Sequence, residues 1–400
     1  MHKMRLKNTS AAILSLMTYL TVSAPSHAIS FSEGGWNVDI SGSVGGYYTQ
    51  TNCNFKPDSA QWSTFSACKF AVNNDDTASV QNGFLPGWLN TIVTHTTDSG
   101  MKLTAHFGFA PGTSNPSSFG GRIAGAQNVG DVRNVYLKVE DDWGSVLLGR
   151  DAALFGLHAT LSDITVPGVG TQAEAAGALN TTFGAVAAGY TYFSFQPQIT
   201  YATPVVNGFQ AKFGVIQPVD IQPDPINTGG PIYNVHDTPM FQGLLTYDFA
   251  GGSKLWTSFV QQDARRSDTD EEISAEGFEI GGRLVLGKFT ANASTFIGDA
   301  LGDGILFVGA TDSEGNEYET EGYLLNAGYQ FGKTRLSVQY GVTENKDLAG
   351  AENEVSSIVL VRDITPGLQF IAEYTQHTTS QDGFSDAEAS TVAAGALLSF

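Results

Sequence analysis

The residue types that most often perform chemistry are sparse in this sequence and form no known catalytic pattern. The 400 residues include seven histidines and only two cysteines, Cys53 and Cys68. The sequence contains no G-x-S-x-G, H-E-x-x-H or P-loop motif. Two thiols 15 residues apart, with no histidine nearby, do not provide the four ligands of a structural zinc site. We therefore predict no catalytic residue, no metal site, no cofactor and no enzymatic activity.

The start of the chain has the layout of a secretory signal. Three basic residues within the first seven precede a short apolar stretch at residues 11–20. Ser26-His27-Ala28 then places small residues at positions −3 and −1 of a cleavage site. We predict that residues 1–28 are removed during export and that residues 29–400 form one mature domain.

Export changes what the charge and the cysteines imply. Removal of the signal takes away three positive charges and no negative ones, so the net charge becomes −23 instead of −20. An acidic chain of this kind is a poor nucleic-acid binder, because phosphate recognition requires clustered Lys and Arg. An exported chain meets an oxidising compartment, so Cys53 and Cys68 are predicted to form a disulfide.

The composition favours a fold of strands and turns. Charged residues make up 15% of the chain, whereas soluble domains usually contain about 25%. Glycine is frequent, with 46 residues, and aromatic residues reach 11%, which excludes an acidic disordered protein. The sequence has no run of about 18 apolar residues, so no transmembrane helix is predicted.

An alternation of apolar and polar residues dominates the chain and identifies its strands. In residues 101–109, Met101, Leu103 and Phe107 fall on one face, and polar or small residues occupy the other. Residues 209–215 and 334–342 repeat the pattern. Strict alternation is typical of a half-buried strand. A length of about nine residues is also what a tilted strand needs to cross a bilayer.

The connections between these strands alternate in length. Tight turns occur at Asp98-Ser99-Gly100, Asp142-Trp143-Gly144, Asn207-Gly208, Gly251-Gly252, Gly287-Lys288, Gly332-Lys333 and Pro366-Gly367. Between them lie eight long segments, at 49–86, 110–131, 151–196, 217–238, 263–276, 299–320, 344–352 and 378–386. This layout predicts an all-β, 16-stranded antiparallel transmembrane β-barrel. A secreted sandwich or propeller also alternates, but its connections are not usually this regular.

Several charged residues fall opposite the apolar strand faces. A basic side chain on the lipid face at mid-depth costs about 2–4 kcal/mol. We therefore predict that these residues face the lumen: Lys102, His106, Lys212, Glu279, Arg283, Arg335 and Arg362.

Three stretches of this sequence resemble the Gram-negative trimeric porins. The first runs from Arg133-Asn134-Val135-Tyr136 to Trp143-Gly144, and on to Gly149-Arg150. The second is Gln198-Ile199-Thr200-Tyr201-Ala202-Thr203-Pro204, followed by Gly208-Phe209. The third is the last strand, which ends in an aromatic residue, Phe400. The resemblance implies a homotrimer in outer-membrane lipid and lipopolysaccharide, through which ions and small hydrophilic solutes diffuse passively.

The resemblance also implies that the third long segment, residues 151–196, folds into the lumen. We name this segment loop 3. Its acidic members are Asp151, Asp163 and Glu174, and Arg133 and Arg150 match wall positions near the constriction. All five are therefore expected to line the pore.

The chain departs from the general porin pattern in two places. Loop 3 lacks the family's Pro-Glu-Phe-Gly-Gly stretch, and the second strand carries no arginine between Trp88 and Thr97. These departures leave room for an alternative, a substrate-specific channel with a solute site in the lumen. A non-conducting barrel that serves adhesion or envelope structure is a third possibility.

Overall fold

The computed structural model of the protein describes residues 28–69, 76–113, 130–172, 181–223 and 230–400. Within these ranges it contains nineteen strands and one helix. The strands are β1 (Ile29–Glu33), β2 (Trp36–Asn54), β3 (Thr77–Gln81), β4 (Trp88–Thr96), β5 (Lys102–Pro111), β6 (Gly130–Asp141), β7 (Gly144–Ala152), β8 (Phe195–Ala202), β9 (Phe209–Ile216), β10 (Tyr233–Val235), β11 (Met240–Asp248), β12 (Lys254–Arg266), β13 (Glu272–Leu286), β14 (Phe289–Asp299), β15 (Glu319–Phe331), β16 (Thr334–Asn345), β17 (Ala351–Thr365), β18 (Leu368–Ser380) and β19 (Ala387–Ser399). The helix, α1, covers Leu157–Ser162. The predicted signal lies outside the described residues, apart from Ala28.

Sixteen of these strands form one closed antiparallel barrel. Each strand pairs with its neighbour in the chain, and β19 pairs with β2 to close the circle, from Glu388 opposite Asn54 to Ser399 opposite Ser43. The other three strands, β1, β3 and β10, are short additions that pair with β2, β2 and β12. The sixteen-stranded antiparallel barrel predicted from the sequence is therefore confirmed.

The short connections occur where the sequence predicted them. All seven predicted tight turns are turns between consecutive barrel strands. Gly287 and Gly332 have φ angles of 58–60°, in the left-handed region. A residue without a Cβ atom adopts that conformation at little cost, and this permits the tight reversals after β13 and β15.

The two faces of the barrel differ as the alternation predicts. On β13, Phe278 and Ile280 point outward and are each half exposed, whereas Glu279 between them is 2% exposed. Equivalent outward-facing apolar residues occur on every barrel strand from β4 to β9. The barrel therefore presents an apolar outer surface to lipid and a more polar inner surface to the lumen. Among the described residues, no helix is long and apolar enough to span a membrane.

Apolar loops pack together inside the barrel. Phe155 of loop 3 belongs to one buried cluster with Leu301 and Phe307, from the segment between β14 and β15. Phe65, from the segment after β2, packs edge-on against Phe183 of loop 3 at 5.0 Å between ring centroids. Because these side chains would be unfavourable in water, their burial against one another holds the loops over the lumen.

Candidate functional site

Loop 3 begins where β7 ends and turns at once toward the barrel interior. Gly156 has a φ angle of 74° and precedes α1. A Cβ atom there would lie 2.1 Å from the carbonyl oxygen of Thr191, so a glycine is required for this close approach. Within α1, His158 is buried and its ring lies 5.5 Å from the ring of Trp256. Burial, together with nearby Lys254 and Lys212, lowers the pKa of His158 to about 3.

The first attachment of loop 3 to the wall is made by Gln242 of β11. Its side-chain Oε1 accepts hydrogen bonds from the backbone N–H groups of Leu154 and Phe155, at 2.8 and 2.9 Å. Gln242 is fully buried. A buried amide with these two partners fixes the point at which the chain leaves the wall.

The second attachment centres on the carboxylate of Asp163, which is 1% exposed. Its Oδ1 accepts from the backbone and hydroxyl of Thr165, at 2.8 and 2.6 Å, and from Nε2 of Gln339 on β16, at 2.7 Å. Its Oδ2 accepts from the backbone of Ala185 at 2.8 Å and from the hydroxyl of Tyr190 at 2.9 Å. Asp163 therefore joins two parts of loop 3 to each other and to the wall.

A third attachment uses Glu373 of β18. Its Oε2 accepts from the backbone N–H of Val169 at 3.1 Å, and its Oε1 from that of Gly170 at 2.6 Å. The hydroxyl of Tyr47 on β2 donates to the carbonyl of Pro167 at 2.5 Å. Loop 3 is thus attached to β2, β11, β16 and β18 and crosses the lumen. Nothing in the sequence pattern singles out Gln242, Gln339 or Glu373 for this role.

Arg133 lies at a β-bulge between β5 and β6. The register between β5 and β6 shifts between Gly108 and Phe109, and Arg133 is the extra residue on β6. Val135 points outward and is 41% exposed, whereas Arg133 is 8% exposed. In a regular strand, Arg133 would share the lipid-facing side with Val135, because the two residues are two positions apart. The bulge instead turns Arg133 away from lipid.

The guanidinium of Arg133 is enclosed by aromatic rings. It lies 5.1 Å from the ring centroid of Trp88 and 5.2 Å from that of Phe195. Its Nε donates to Oδ2 of Asp131 at 3.0 Å. Cation–π contacts of this kind stabilise a desolvated guanidinium. Arg133 is positioned to support the base of loop 3, because Trp88 and Phe195 belong to the apolar cluster that contains Leu157 of α1.

The structure places Arg150 outside the lumen, which corrects the pore-lining expectation for this residue. Arg150 lies opposite Val135 in the antiparallel pairing of β6 and β7, so the two side chains share a face. That face points outward, because Val135 and Leu148 are both more than 40% exposed. Nε of Arg150 donates to the backbone carbonyl of Val132 at 2.8 Å, in an exposed hydrogen bond.

Arg362 is also directed outward, contrary to the sequence expectation. It pairs with Phe370 on β18, which is 41% exposed to the outside. Its Nη1 donates to the hydroxyl of Thr334 at 2.8 Å. The neighbouring residue, Val361, faces inward and lies opposite Arg335 on β16. The sequence expectation failed here because the apolar residues near the end of β17 alternate less clearly than elsewhere.

The residues of β5 and β9 that the sequence assigned to the lumen lie opposite the exposed apolar face of their strands. His106 is buried, and one of its ring nitrogens lies 2.8 Å from Oδ1 of Asn90. Lys102 lies on the same side of β5 as His106. Lys212 of β9 interacts electrostatically with Asp151. Asp151 lies opposite lumen-facing Gln196 and is the inward neighbour of Arg150.

Two further lysines belong to this group, and the sequence analysis missed both. Nζ of Lys138 on β6 lies 2.7 Å from Oε2 of Glu140, and Nζ of Lys254 on β12 lies 2.7 Å from Oδ1 of Asp248. Both lysines interact electrostatically with Lys212. Their alternation with apolar neighbours is the signal that would have identified them.

Arg283 of β13 and Arg335 of β16 line one open cavity between loop 3 and the barrel wall. Asp163 borders the same cavity, although its carboxylate is used by the five hydrogen bonds described above. Glu279 faces inward, and its Oε1 accepts hydrogen bonds from Nε1 of Trp256 at 2.8 Å and from the hydroxyl of Ser258 at 3.3 Å. Glu174 lies outside the described residues.

Cys53 and Cys68 are joined by a disulfide. It ties the end of β2 to the segment that follows, and both residues pack with Ala67, Ala387 and Ala389. Among the described residues, no group of three or more His, Cys, Asp or Glu side chains is arranged to hold a metal ion.

A closed barrel with an apolar exterior, and with a lumen narrowed by an attached loop, defines a transmembrane β-barrel channel. A family model for Gram-negative porins matches residues 10–382. The chain belongs to the Gram-negative porin family, and it forms an outer-membrane channel for the passive diffusion of solutes.

Solved structures share this fold at low sequence identity. The outer membrane channel DcaP of Acinetobacter baumannii is 13% identical, with 94% of this chain and 100% of that chain covered and a TM-score of 0.69. The anion-selective porin from Comamonas acidovorans is 15% identical, with 91% and 100% covered and a TM-score of 0.63. OmpT of Vibrio cholerae in its trimer form is 14% identical, with 92% and 100% covered and a TM-score of 0.54. The search of curated proteins found no match.

Proposed function

We propose that the mature protein, residues 29–400, is a homotrimeric porin in which each barrel conducts ions and small hydrophilic solutes. The observation that carries this proposal is the polar inner wall of a closed barrel, narrowed on one side by loop 3 and its three attachments. The trimer form of the similar Vibrio OmpT supports the oligomeric state. Outer-membrane lipid and lipopolysaccharide are the surroundings proposed for its apolar exterior. We assign the protein no catalytic activity.

We propose a pore lining that combines loop 3 with the facing wall. On the wall it includes Lys102, His106, Lys212, Arg283 and Arg335. Asp151 contributes at the start of loop 3, and Glu174 is retained as a proposed member from the sequence alone. Arg133 and Asp163 are assigned supporting roles, because both are buried and engaged with neighbouring residues.

We expect ion selectivity to be weak. Lys138 and Lys254 are paired with carboxylates, so much of the wall charge is compensated locally. The net charge of −23 predicted for the mature chain favours cations mildly, but screening beyond about 8 Å limits the reach of charges outside the lumen. Strong selectivity in either direction would contradict this picture of a compensated wall.

Recording from purified protein in planar lipid bilayers tests the proposal. We expect an open channel that closes in three steps under high voltage, one for each barrel of a trimer. Reversal potentials in a salt gradient are expected to lie close to zero, on the cation-selective side. Absence of conductance would refute the channel, and single-step closure would refute three barrels per particle.

A further inference from the structure

The segment between the two cysteines turns inward and is fixed to the barrel wall. The disulfide closes residues 53–68 into a loop, which we name the disulfide segment. The backbone N–H of Ala67 donates to the hydroxyl of Thr379 on β18 at 2.8 Å. Nε1 of Trp62 donates to the backbone carbonyl of Ser380, on the same strand, at 3.1 Å. The disulfide and these two bonds give the segment one defined position against β18.

Phe65 projects from the disulfide segment into a point where two other long segments meet. Its side chain is 4% exposed, and its ring lies 5.0 Å from the ring of Phe183 in loop 3. Gly304 belongs to the segment between β14 and β15. A Cβ atom at Gly304 would lie 2.8 Å from the ring of Phe65 and 2.6 Å from the Cβ atom of Ala187 in loop 3. Three segments from separate parts of the chain are therefore packed against one another at this glycine.

This meeting point belongs to an apolar cluster that reaches two separated parts of the wall. The cluster contains Phe65 together with Leu324 of β15 and Phe84, which lies just before β4. Loop 3 is also bonded to the wall here, because the backbone N–H of Gly189 donates to the hydroxyl of Thr343 on β16 at 3.0 Å. Side chains packed at the density of a protein interior leave no passage for water or polar solutes. Solutes must therefore pass beside this cluster.

The second half of loop 3 has a support that the first half lacks. Residues 154–170 are attached directly to wall strands by Gln242 and Glu373. Residues 183–188 are instead packed between Phe65 and the segment that contains Gly304. Their position therefore depends on a side chain from the disulfide segment.

We propose that Phe65 is a size-determining residue of this channel. It holds residues 183–188 of loop 3 against the segment that contains Gly304, and the three segments together form a second constriction at the mouth where the long segments lie. The inference rests on the channel function proposed above. It adds an upper limit on solute size that is set by the disulfide segment as well as by loop 3.

Swelling of liposomes that contain the purified protein measures this limit, because neutral sugars enter them only through the channel. Removal of the buried ring in Phe65→Ala should shift the packing equilibrium of the three segments about a hundredfold or more toward release. A narrow opening hinders a large solute more than a small one. We therefore expect Phe65→Ala to raise the entry rate of raffinose, a trisaccharide, by a larger factor than that of glucose.

Phe278→Ala is the matched control for this change. It removes the same ring from the outward face of β13, where Phe278 is half exposed, so the ratio of raffinose to glucose entry should not change. An unchanged ratio in a folded Phe65→Ala barrel would overturn the proposal. An equal rise in Phe278→Ala would also overturn it, because the effect would then not depend on the loops.

Gly304→Ala tests the shared contact from the opposite side. The added methyl group overpacks the meeting point, so we expect it to displace the segments and raise the ratio of raffinose to glucose entry. In the Phe65→Ala background the methyl group has the space left by the ring, and its effect should be smaller. An equal effect in both backgrounds would show that the two residues act separately, contrary to the proposal.

Glucose entry through the wild-type protein separates this inference from the channel function. Normal glucose entry with an unchanged ratio in the variants would refute only the role of Phe65. Absence of glucose entry in the wild type would refute the channel proposal as well. Electrophoretic mobility without heating reports whether each variant is folded. If Phe65→Ala does not assemble, Phe65→Leu should show a smaller rise in the ratio, and no rise in that variant would refute the inference.

Discussion

Replacement of Asp163 by asparagine should separate two parts of loop 3 from each other, residues 163–165 and residues 185–190. The asparagine side chain has one oxygen and one NH2 group in place of two oxygens. The orientation that sacrifices fewer bonds keeps the oxygen at Oδ1, which serves three donors, and places the NH2 group at Oδ2. The backbone N–H of Ala185 and the hydroxyl of Tyr190 then lose their acceptor and meet another donor.

The size of the effect follows from the burial of these groups. A buried donor left without a partner costs about 1–3 kcal/mol, so two such donors cost about 2–6 kcal/mol. Because about 1.4 kcal/mol corresponds to a factor of ten, even the lower value shifts the docking equilibrium of the loop roughly 25-fold. Gln242 and Glu373 are untouched by the change, so residues 154–155 and 169–170 should stay attached while residues 185–190 loosen.

Single-channel recording measures this loosening directly. We expect Asp163→Asn to increase mean conductance and open-channel noise, because a displaced loop obstructs the lumen less and fluctuates more. Asp142→Asn is the matched control, since Asp142 is exposed in the turn between β6 and β7. Electrophoretic mobility without heating would report whether the barrel stays folded. A folded Asp163→Asn barrel with wild-type conductance and noise would refute this account of the attachment.

Three further predictions concern the other supports of the loops. Glu373→Gln keeps one oxygen for two backbone donors, so it should cost about 1–3 kcal/mol and raise open-channel noise less than Asp163→Asn does; an equal or larger rise would contradict this ranking. Burial lowers the pKa of His158 to about 3, so His158 binds a proton less readily when loop 3 is packed in the lumen than when the loop is released. The packed state should therefore lose stability as pH falls from about 6.5 toward 3. Noise should therefore rise on acidification in the wild type and rise less in His158→Gln; identical pH profiles would exclude a role for this residue. Joint replacement of Cys53 and Cys68 by serine should destabilise the segment between them by about 3 kcal/mol in the chain-entropy model. Faster proteolysis of that segment with an intact barrel is the expected result, and unchanged proteolysis would count against it.

Most of the fold could be read from the sequence because a barrel strand is a local pattern. The alternation in residues 101–109 predicted β5, and Gly287 and Gly332 marked turns that need a left-handed backbone. Each of these signals depends on a few neighbouring residues. Strand ends were less predictable: β2 continues to Asn54, beyond the predicted start of a long segment at residue 49. Pairing with β19 supports this extension, and no local pattern reports it.

The lumen was harder to predict, because the direction of a side chain depends on register. Arg133 and Arg150 both matched wall positions of the family, yet a bulge turns Arg133 inward whereas the pairing of β6 with β7 directs Arg150 outward. Lys138 and Lys254 were missed although their strands alternate clearly. Asp163 was expected to line the pore, and its buried carboxylate accepts hydrogen bonds from five donors.

The sequence by itself determined the architecture of this protein: the number of strands, their antiparallel order, the apolar exterior and the membership of a porin family. These properties arise from two-residue periodicity and turn residues, which act over a few neighbouring positions. Only the tertiary structure decided how the lumen is built. The partners of Asp163 come from residues 165, 185, 190 and 339, and the cavity joins α1 to β13, β16 and β17. Such contacts form only when the barrel closes and brings distant segments into one enclosed space.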